Sequence, residues 1–240
     1  KAKFLPSGVE TIYAEAEAIE PERGIVKLKD GREIGYDYLI IATGAYIRPQ
    51  ETEGLLGVDW RRNTHDFYTP EGALALAKYL QSWPGGRLVV NIAEMPIKCP
   101  VAPIEFLFLA DWWFTKRGMR DRVELELATP LSGAFTRPIC SSVLGHLFVE
   151  KKIKLTTDFA LAEVDGEKRV LKDYMAREIP YDCLVSIPTN MGAAVVQDSG
   201  LGDELGFVPT NPQTLQAKAH PNIFVIGDAT ALLSSKAGSV

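Results

Sequence analysis

Asn222-Ile-Phe-Val-Ile-Gly-Asp-Ala-Thr230 is the stretch on which the fold of this chain turns. Ile223, Phe224, Val225 and Ile226 make a short apolar run of β type. Gly227 lets the backbone approach a ligand, and Asp228 puts a carboxylate at the strand's carboxyl end. Ligands of open α/β sheets sit at that edge. Tyr36-Asp-Tyr-Leu-Ile-Ile-Ala-Thr-Gly-Ala45 has the same construction, its apolar strand running into Thr43 and Gly44. Ordinary buried strands account for the apolar residues of both segments. They account less well for the polar-plus-glycine pair that ends each one.

Before and between the two segments the pattern alternates. Residues 9–41 read as short strands, with Lys29-Asp-Gly-Arg32 as a hairpin turn. Arg48-Pro49 and the glycines at 54 and 57 mark a crossing into a second domain. Residues 70–81 carry helical spacing, with Thr69 as N-cap and Pro70 at the first position. Arg87-Leu-Val-Val-Asn-Ile-Ala93 is a buried strand, and residues 103–117 form a helix apolar enough on most faces to be expected deep between layers. Strand 123–129, helix 136–150 and strand 153–157 complete a strand–helix alternation typical of doubly wound folds. The chain then returns through Asp165-Gly166 and Tyr181-Asp-Cys-Leu-Val-Ser-Ile187.

With 240 residues, 46% of them hydrophobic, the chain can bury a sizeable core. A formal charge of −5 and scattered lysines and arginines argue against nucleic acid as a partner. No apolar run is long enough for a membrane-spanning helix. The chain starts Lys-Ala-Lys-Phe, with neither an initiator Met nor a signal pattern, which reads as a cut start. Cys99, Cys140 and Cys183 are too few and too widely spaced for a secreted disulfide scaffold or a zinc site, so no metal is expected. His65, His146 and His220 lack metal spacing and read as structural. This composition permits an intracellular protein with at most one reactive thiol without fixing its compartment, and the cytoplasm is the expectation.

In this order and at this separation, the two strand-end segments resemble the second and third flavin-contacting motifs of the pyridine nucleotide-disulfide oxidoreductase superfamily. The resemblance implies an α/β fold with two Rossmann-like (FAD/NAD(P)-binding) domains, the flavin domain incomplete and a second doubly wound domain inserted in it. The expected division is 1–50 for the first part of the flavin domain, 51–185 for the insert and 186–240 for the return. Thr43, Gly44, Gly227 and Asp228 become the expected cofactor-binding residues. Lys236, in Ser235-Lys-Ala-Gly238, matches a family lysine that would favour reduced, anionic flavin, although a solvated loop lysine reads the same way. The Gly-x-Gly-x-x-Gly turn that holds the flavin pyrophosphate in this superfamily does not occur here. The expectation is therefore a fragment of a longer flavoprotein, with FAD in the full-length protein and little or none held by the fragment.

Residues Asn91 to Glu105 stand where NAD(P)-using members place a second glycine-rich turn, yet they contain no glycine. Pro96, Pro100 and Pro103, together with bulky neighbours, oppose the close approach that a pyrophosphate needs. Within this segment, Lys98-Cys-Pro-Val-Ala-Pro-Ile-Glu-Phe106 is similar to the redox-cysteine segment of sulfide:quinone oxidoreductases and of the flavoprotein subunit of flavocytochrome c sulfide dehydrogenases. Phe106-Leu-Phe-Leu-Ala-Asp111, Thr129-Pro130 and Ser199-Gly-Leu-Gly202 also fit that group. Cys99 lies just before a helix and beside Lys98, and both features favour a thiolate. Glu105 matches a family glutamate that would move protons near Cys99, although a first-turn acid also suits a helix dipole. Cys183 sits within an apolar strand and Cys140 on a helix, and packing is the expectation for both.

The resemblance implies an FAD oxidoreductase in which a small sulfur nucleophile such as sulfide reacts at Cys99 and the electrons pass through FAD to a quinone. It also implies peripheral membrane contact through segments outside this chain, and it leaves self-association open. Two alternatives stay beside it: an NADH-using flavin dehydrogenase of the same fold, and a non-catalytic sulfur-binding or structural relative.

Overall fold

A computed structural model describes residues 5–232. Their contacts fall into two compact units, one made of residues 5–44 and 192–232 and the other of residues 45–191.

The first unit opens with an antiparallel sheet of β1 (Ala16–Glu20), β2 (Ile25–Leu28) and β3 (Glu33–Gly35). The β2–β3 turn forms as its Asp-Gly pair predicts. Gly31 takes φ +87°, and its N–H donates to the Leu28 carbonyl at 2.9 Å, while the Asp30 carboxylate accepts the Arg32 N–H at 3.1 Å. Strand β4 (Leu39–Ile41) follows.

The second unit runs β5 (Ala45–Ile47), β6 (Thr64–His65), α1 (Pro70–Ser82), β7 (Gly86–Ile92), α2 (Ala102–Lys116), β8 (Val123–Ala128), α3 (Pro138–Glu150) and β9 (Ile153–Thr156). It continues through β10 (Leu161–Asp165), β11 (Val170–Asp173), β12 (Glu178–Pro180), β13 (Cys183–Ile187) and β14 (Asn190–Gly192). Five of these strands form a parallel sheet in the order β6-β13-β7-β8-β9. Helix α1 starts where the sequence places it, with the Thr69 hydroxyl accepting the Gly72 N–H at 3.0 Å.

Side-chain alternation along β7 sorts the two faces of this sheet. Leu88, Val90 and Ile92 pack on Leu76 of α1, Leu107 and Phe114 of α2 and Phe148 of α3. Val89 and Ala93 face the other way, onto Phe159, Leu161, Val164, Leu171 and Ile179. One face is thus layered with helices. The other is covered by the antiparallel meander β10-β11-β12, which supplies the second layer of the wound sheet. Each fully buried Leu or Val contributes about 1.5–3 kcal/mol through removal of apolar surface from water.

The first unit resumes with α4 (Ala194–Asp198) and β15 (Ile223–Val225). Strand β15 lies parallel to β4, and their residues join Ile19, Val196 and Val208 in a core of their own.

Two expectations need correction. Helix α2 does not lie between layers: Ile104, Leu107 and Phe114 are buried, but Leu109 and Trp112 stand 64% and 57% exposed on the opposite side. An apolar helix composition says how much surface wants a neighbour, not which face receives one. Cys140 is exposed on α3 rather than packed, in a first turn where Pro138 and Ile139 are exposed as well.

Candidate functional site

The parallel pairing of β4 with β15 brings the two strand-end motifs together. Ile41 and Val225 are register partners, and the Ile226 N–H donates to the Ile41 carbonyl at 3.0 Å. Thr43 and Gly44 therefore leave the sheet beside Gly227 and Asp228, at the carboxyl edge. Gly44 and Gly227 take φ +71° and +65°, a region that favours glycine, and a Cβ at either would meet nothing within 4 Å. Space and backbone freedom coincide at both strand ends. Residues 227–230 close into a turn in which the Gly227 carbonyl accepts the Thr230 N–H at 3.2 Å and the Thr230 hydroxyl at 3.0 Å. Asp228 is held half-buried inside that turn.

The Thr43 Oγ1 is buried and has no hydrogen-bond partner among the described residues. Buried hydroxyls are normally paired, so this one, at a strand's carboxyl end, is available to a polar ligand. A flavin nucleotide fits this edge by that criterion. Lys236, the remaining cofactor-binding expectation, lies outside the described residues.

Cys99 belongs to the other unit, in the loop between β7 and α2. Its backbone adopts φ +49°. The left-handed region costs an ordinary residue about 1–2 kcal/mol, and a residue that precedes proline, as Cys99 precedes Pro100, is normally pushed toward extended geometry. Its surroundings hold it there. The Tyr68 hydroxyl donates to both the Lys98 carbonyl at 2.8 Å and the Cys99 carbonyl at 3.2 Å. The Lys98 N–H donates to Asn190 Oδ1 at 3.1 Å, and Asn190 is 1% exposed. The Cys99 carbonyl also accepts the Ala102 N–H at 2.9 Å, which opens α2. Ile97 and Pro100 are buried on either side, while Cys99 itself stays half-buried.

Lys98 places its ammonium 3.3 Å from the Ala45 carbonyl and 5.6 Å from the centre of the Tyr68 ring. Its charge is thus committed to the loop's own wall. Glu105 is exposed in the first turn of α2, where an acid complements the helix N-terminus, and no hydrogen bond joins it to Cys99. Cys183 is fully buried in β13, and burial pushes its thiol well above the ordinary range. His65 is 1% exposed, its Nε2 lies 3.0 Å from the Arg62 carbonyl, and burial holds its pKa down. No group of metal-ligating side chains occurs among the described residues. No helix among them is long and apolar enough to cross a membrane.

Tyr68 and Asn190 escaped the sequence reading. They stand 30 and 92 positions from their partners at Lys98, and no local pattern joins them.

At the carboxyl edge of the five-stranded sheet lies a cavity of about 290 Å³, lined in part by Thr52, Ala93, Glu94, Pro130, Leu131 and Thr189. The Thr189 hydroxyl donates to Glu94 Oε2 at 3.2 Å. This is where a dinucleotide's phosphates meet such a sheet. Here an acid takes the position of a glycine turn.

A parallel sheet in one unit and a paired strand-end edge in the other define a flavoprotein-type α/β fold of the pyridine nucleotide-disulfide oxidoreductase kind. No family model matches the chain. It is 29% identical to the mitochondrial sulfide:quinone oxidoreductase of Dictyostelium discoideum and 28% identical to that of Mus musculus, each over 97% of this chain and 53% of the relative. The solved sulfide:quinone oxidoreductase of Aquifex aeolicus superposes with a TM-score of 0.78 at 26% identity, over 92% of this chain and 52% of that one. The chain is sulfide:quinone oxidoreductase-like in sequence and in fold, and it spans about half the length of the curated relatives it matches.

Proposed function

We propose that this chain carries the sulfur-handling cysteine and part of the flavin edge of an FAD-dependent oxidoreductase that oxidises sulfide, or a similar small sulfur nucleophile, and delivers the electrons to a quinone. The observation that carries this reading is Cys99. It is a half-buried thiol in a left-handed backbone conformation within Cys-Pro-x-x-Pro-x-Glu, with hydrogen bonds from Tyr68 and to Asn190 on the backbone around it.

FAD, when bound at Thr43, Gly44, Gly227 and Asp228, supplies the two-electron relay. The sulfur chemistry belongs to Cys99. As the S–H bond of hydrosulfide breaks and its sulfur joins the Cys99 thiolate as a persulfide, one proton and two electrons are released. The quinone takes up the two electrons with that proton and a second from solvent to become a quinol. Glu105, exposed one turn into α2, is the proposed acceptor of the released proton. Cys140 and Cys183 take no part: one is exposed on α3, and the other is sealed in a strand.

An NADH-driven reading has less support. Residues 91–105 offer no glycine for a pyrophosphate, and the Glu94 carboxylate stands at the end of β7 where phosphates would lie. The test is anaerobic mixing of the flavin-loaded full-length protein with sulfide. Loss of flavin absorbance, reversed by a water-soluble quinone, is expected. Flavin that ignores sulfide but is reduced by NADH would overturn the proposal.

A further inference from the structure

We infer that Tyr68 is the positioning residue for Cys99, a role that rests on the proposed sulfur chemistry of that thiol. Tyr68 lies between β6 and α1, remote in sequence from the β7–α2 loop. One phenolic hydrogen is shared between two consecutive carbonyls, Lys98 at 2.8 Å and Cys99 at 3.2 Å. Two adjacent carbonyls converge on one donor only when the peptide between them is turned out of extended geometry, and Cys99 at φ +49° provides that turn. The hydroxyl therefore stabilises the left-handed state over the extended state that Pro100 would otherwise impose.

The rest of the loop leaves Tyr68 as the part of this clamp that a single substitution can remove. Asn190 fixes the amide of Lys98 and is itself fixed, its Nδ2 donating to the Pro188 carbonyl at 2.8 Å. Ala102 fixes the Cys99 carbonyl from the helix side. Both contacts use groups that α2 and β14 hold in any case. Tyr68 alone bridges the two residues flanking the strained peptide. Its ring packs at a tilt against Phe67, with centroids 5.2 Å apart, the Phe67 ring stacks on Phe106 of α2 at 5.1 Å, and the Lys98 ammonium lies over the Tyr68 face. The phenol is thus anchored to the same helix that begins after the cysteine. Its removal leaves the thiol covalently intact, but with a backbone free to relax.

Loss of the phenol has two effects of opposite sign. The loop relaxes outward, so the half-buried Cys99 reacts faster with a small alkylating reagent. The thiol also spends less time in the productive position, so sulfide turnover falls.

The chain carries its own controls for such a test. Cys140 is exposed and reports reagent strength, and Cys183 is buried and reports global opening. In Tyr68→Phe, iodoacetamide is expected to label Cys99 at least threefold faster, with Cys140 unchanged and Cys183 still protected. In the flavin-loaded full-length protein, kcat for sulfide-dependent quinone reduction should fall about tenfold with KM for sulfide within twofold. An unchanged Cys99 labelling rate overturns the inference, as does an unchanged kcat. Faster labelling of all three cysteines together means general loosening and also overturns it. If Tyr68→Phe does not fold, Asn190→Ala decides by the same two readouts, since it frees the Lys98 N–H, one peptide before the carbonyls that Tyr68 holds. The reading of Cys99 itself fails separately, if Cys99→Ser keeps its sulfide turnover.

Discussion

Replacing Thr43 with Val probes the flavin edge from two sides. The Thr43 Oγ1 is buried without a partner, although the residue as a whole is half-buried. An unsatisfied buried hydroxyl costs about 1–3 kcal/mol, and the partial exposure of this residue points to the lower end of that range. Valine keeps the shape and removes the hydroxyl. Thr43→Val is therefore expected to stabilise the ligand-free chain by about 0.5–1 kcal/mol. With flavin bound the sign reverses. One neutral hydrogen bond is worth about 1 kcal/mol net, so the variant should bind FAD about fivefold more weakly. Urea unfolding of the ligand-free chain reads the first effect, and fluorescence titration of the flavin-stripped full-length protein reads the second. A variant that is 1 kcal/mol or more less stable than the parent, or one that binds FAD as tightly, would refute the assignment of this edge.

Three further outcomes follow from the same structure. Burial works against the Asp111 carboxylate, but hydrogen bonds from Arg120 at 2.7 Å and Lys151 at 3.1 Å overcome it and hold the group below the usual carboxylate range. A lowered folded pKa adds stability above the unfolded value, about pH 4, and that stability is lost as pH falls through the folded value. Asp111→Asn should accordingly cost about 1–2 kcal/mol at pH 7 and less at pH 3, as read by urea melts across that range. NADH and NADPH should give no saturable heat with the chain at micromolar concentration, and a clear isotherm abolished by changing Glu94 would contradict this. Cys183→Ala should leave the redox chemistry unchanged and lower stability by about 1–2 kcal/mol through the cavity left in the β13 layer.

How far the sequence foretold this arrangement depended on whether the cause was local. The Asp30-Gly31 turn and the Thr69 cap were legible because both bonds close within three residues. That Thr43-Gly44 and Gly227-Asp228 each end a strand was legible because each follows its own apolar run, whereas the pairing of the two strands came only with the structure. The meander β10-β11-β12 went unread: its strands have 5, 4 and 3 residues, too short for alternation to stand out. The exposed side of α2 was illegible for a different reason, since Leu109 and Trp112 are as apolar as Leu107 and Phe114, and only tertiary packing tells them apart. Cys99 stood out by its setting, yet its left-handed backbone could not be foreseen. A residue before proline predicts extended geometry, and the contacts that reverse this come from Tyr68 and Asn190.

The central claim is that Cys99 is the thiol at which sulfide is oxidised. It is tested most directly by anaerobic stopped-flow reduction of the flavin-loaded full-length protein by sulfide, comparing the parent with Cys99→Ser. The account predicts that the variant keeps its flavin and loses sulfide-driven bleaching by more than about 100-fold. Bleaching of Cys99→Ser at the parent rate would contradict it.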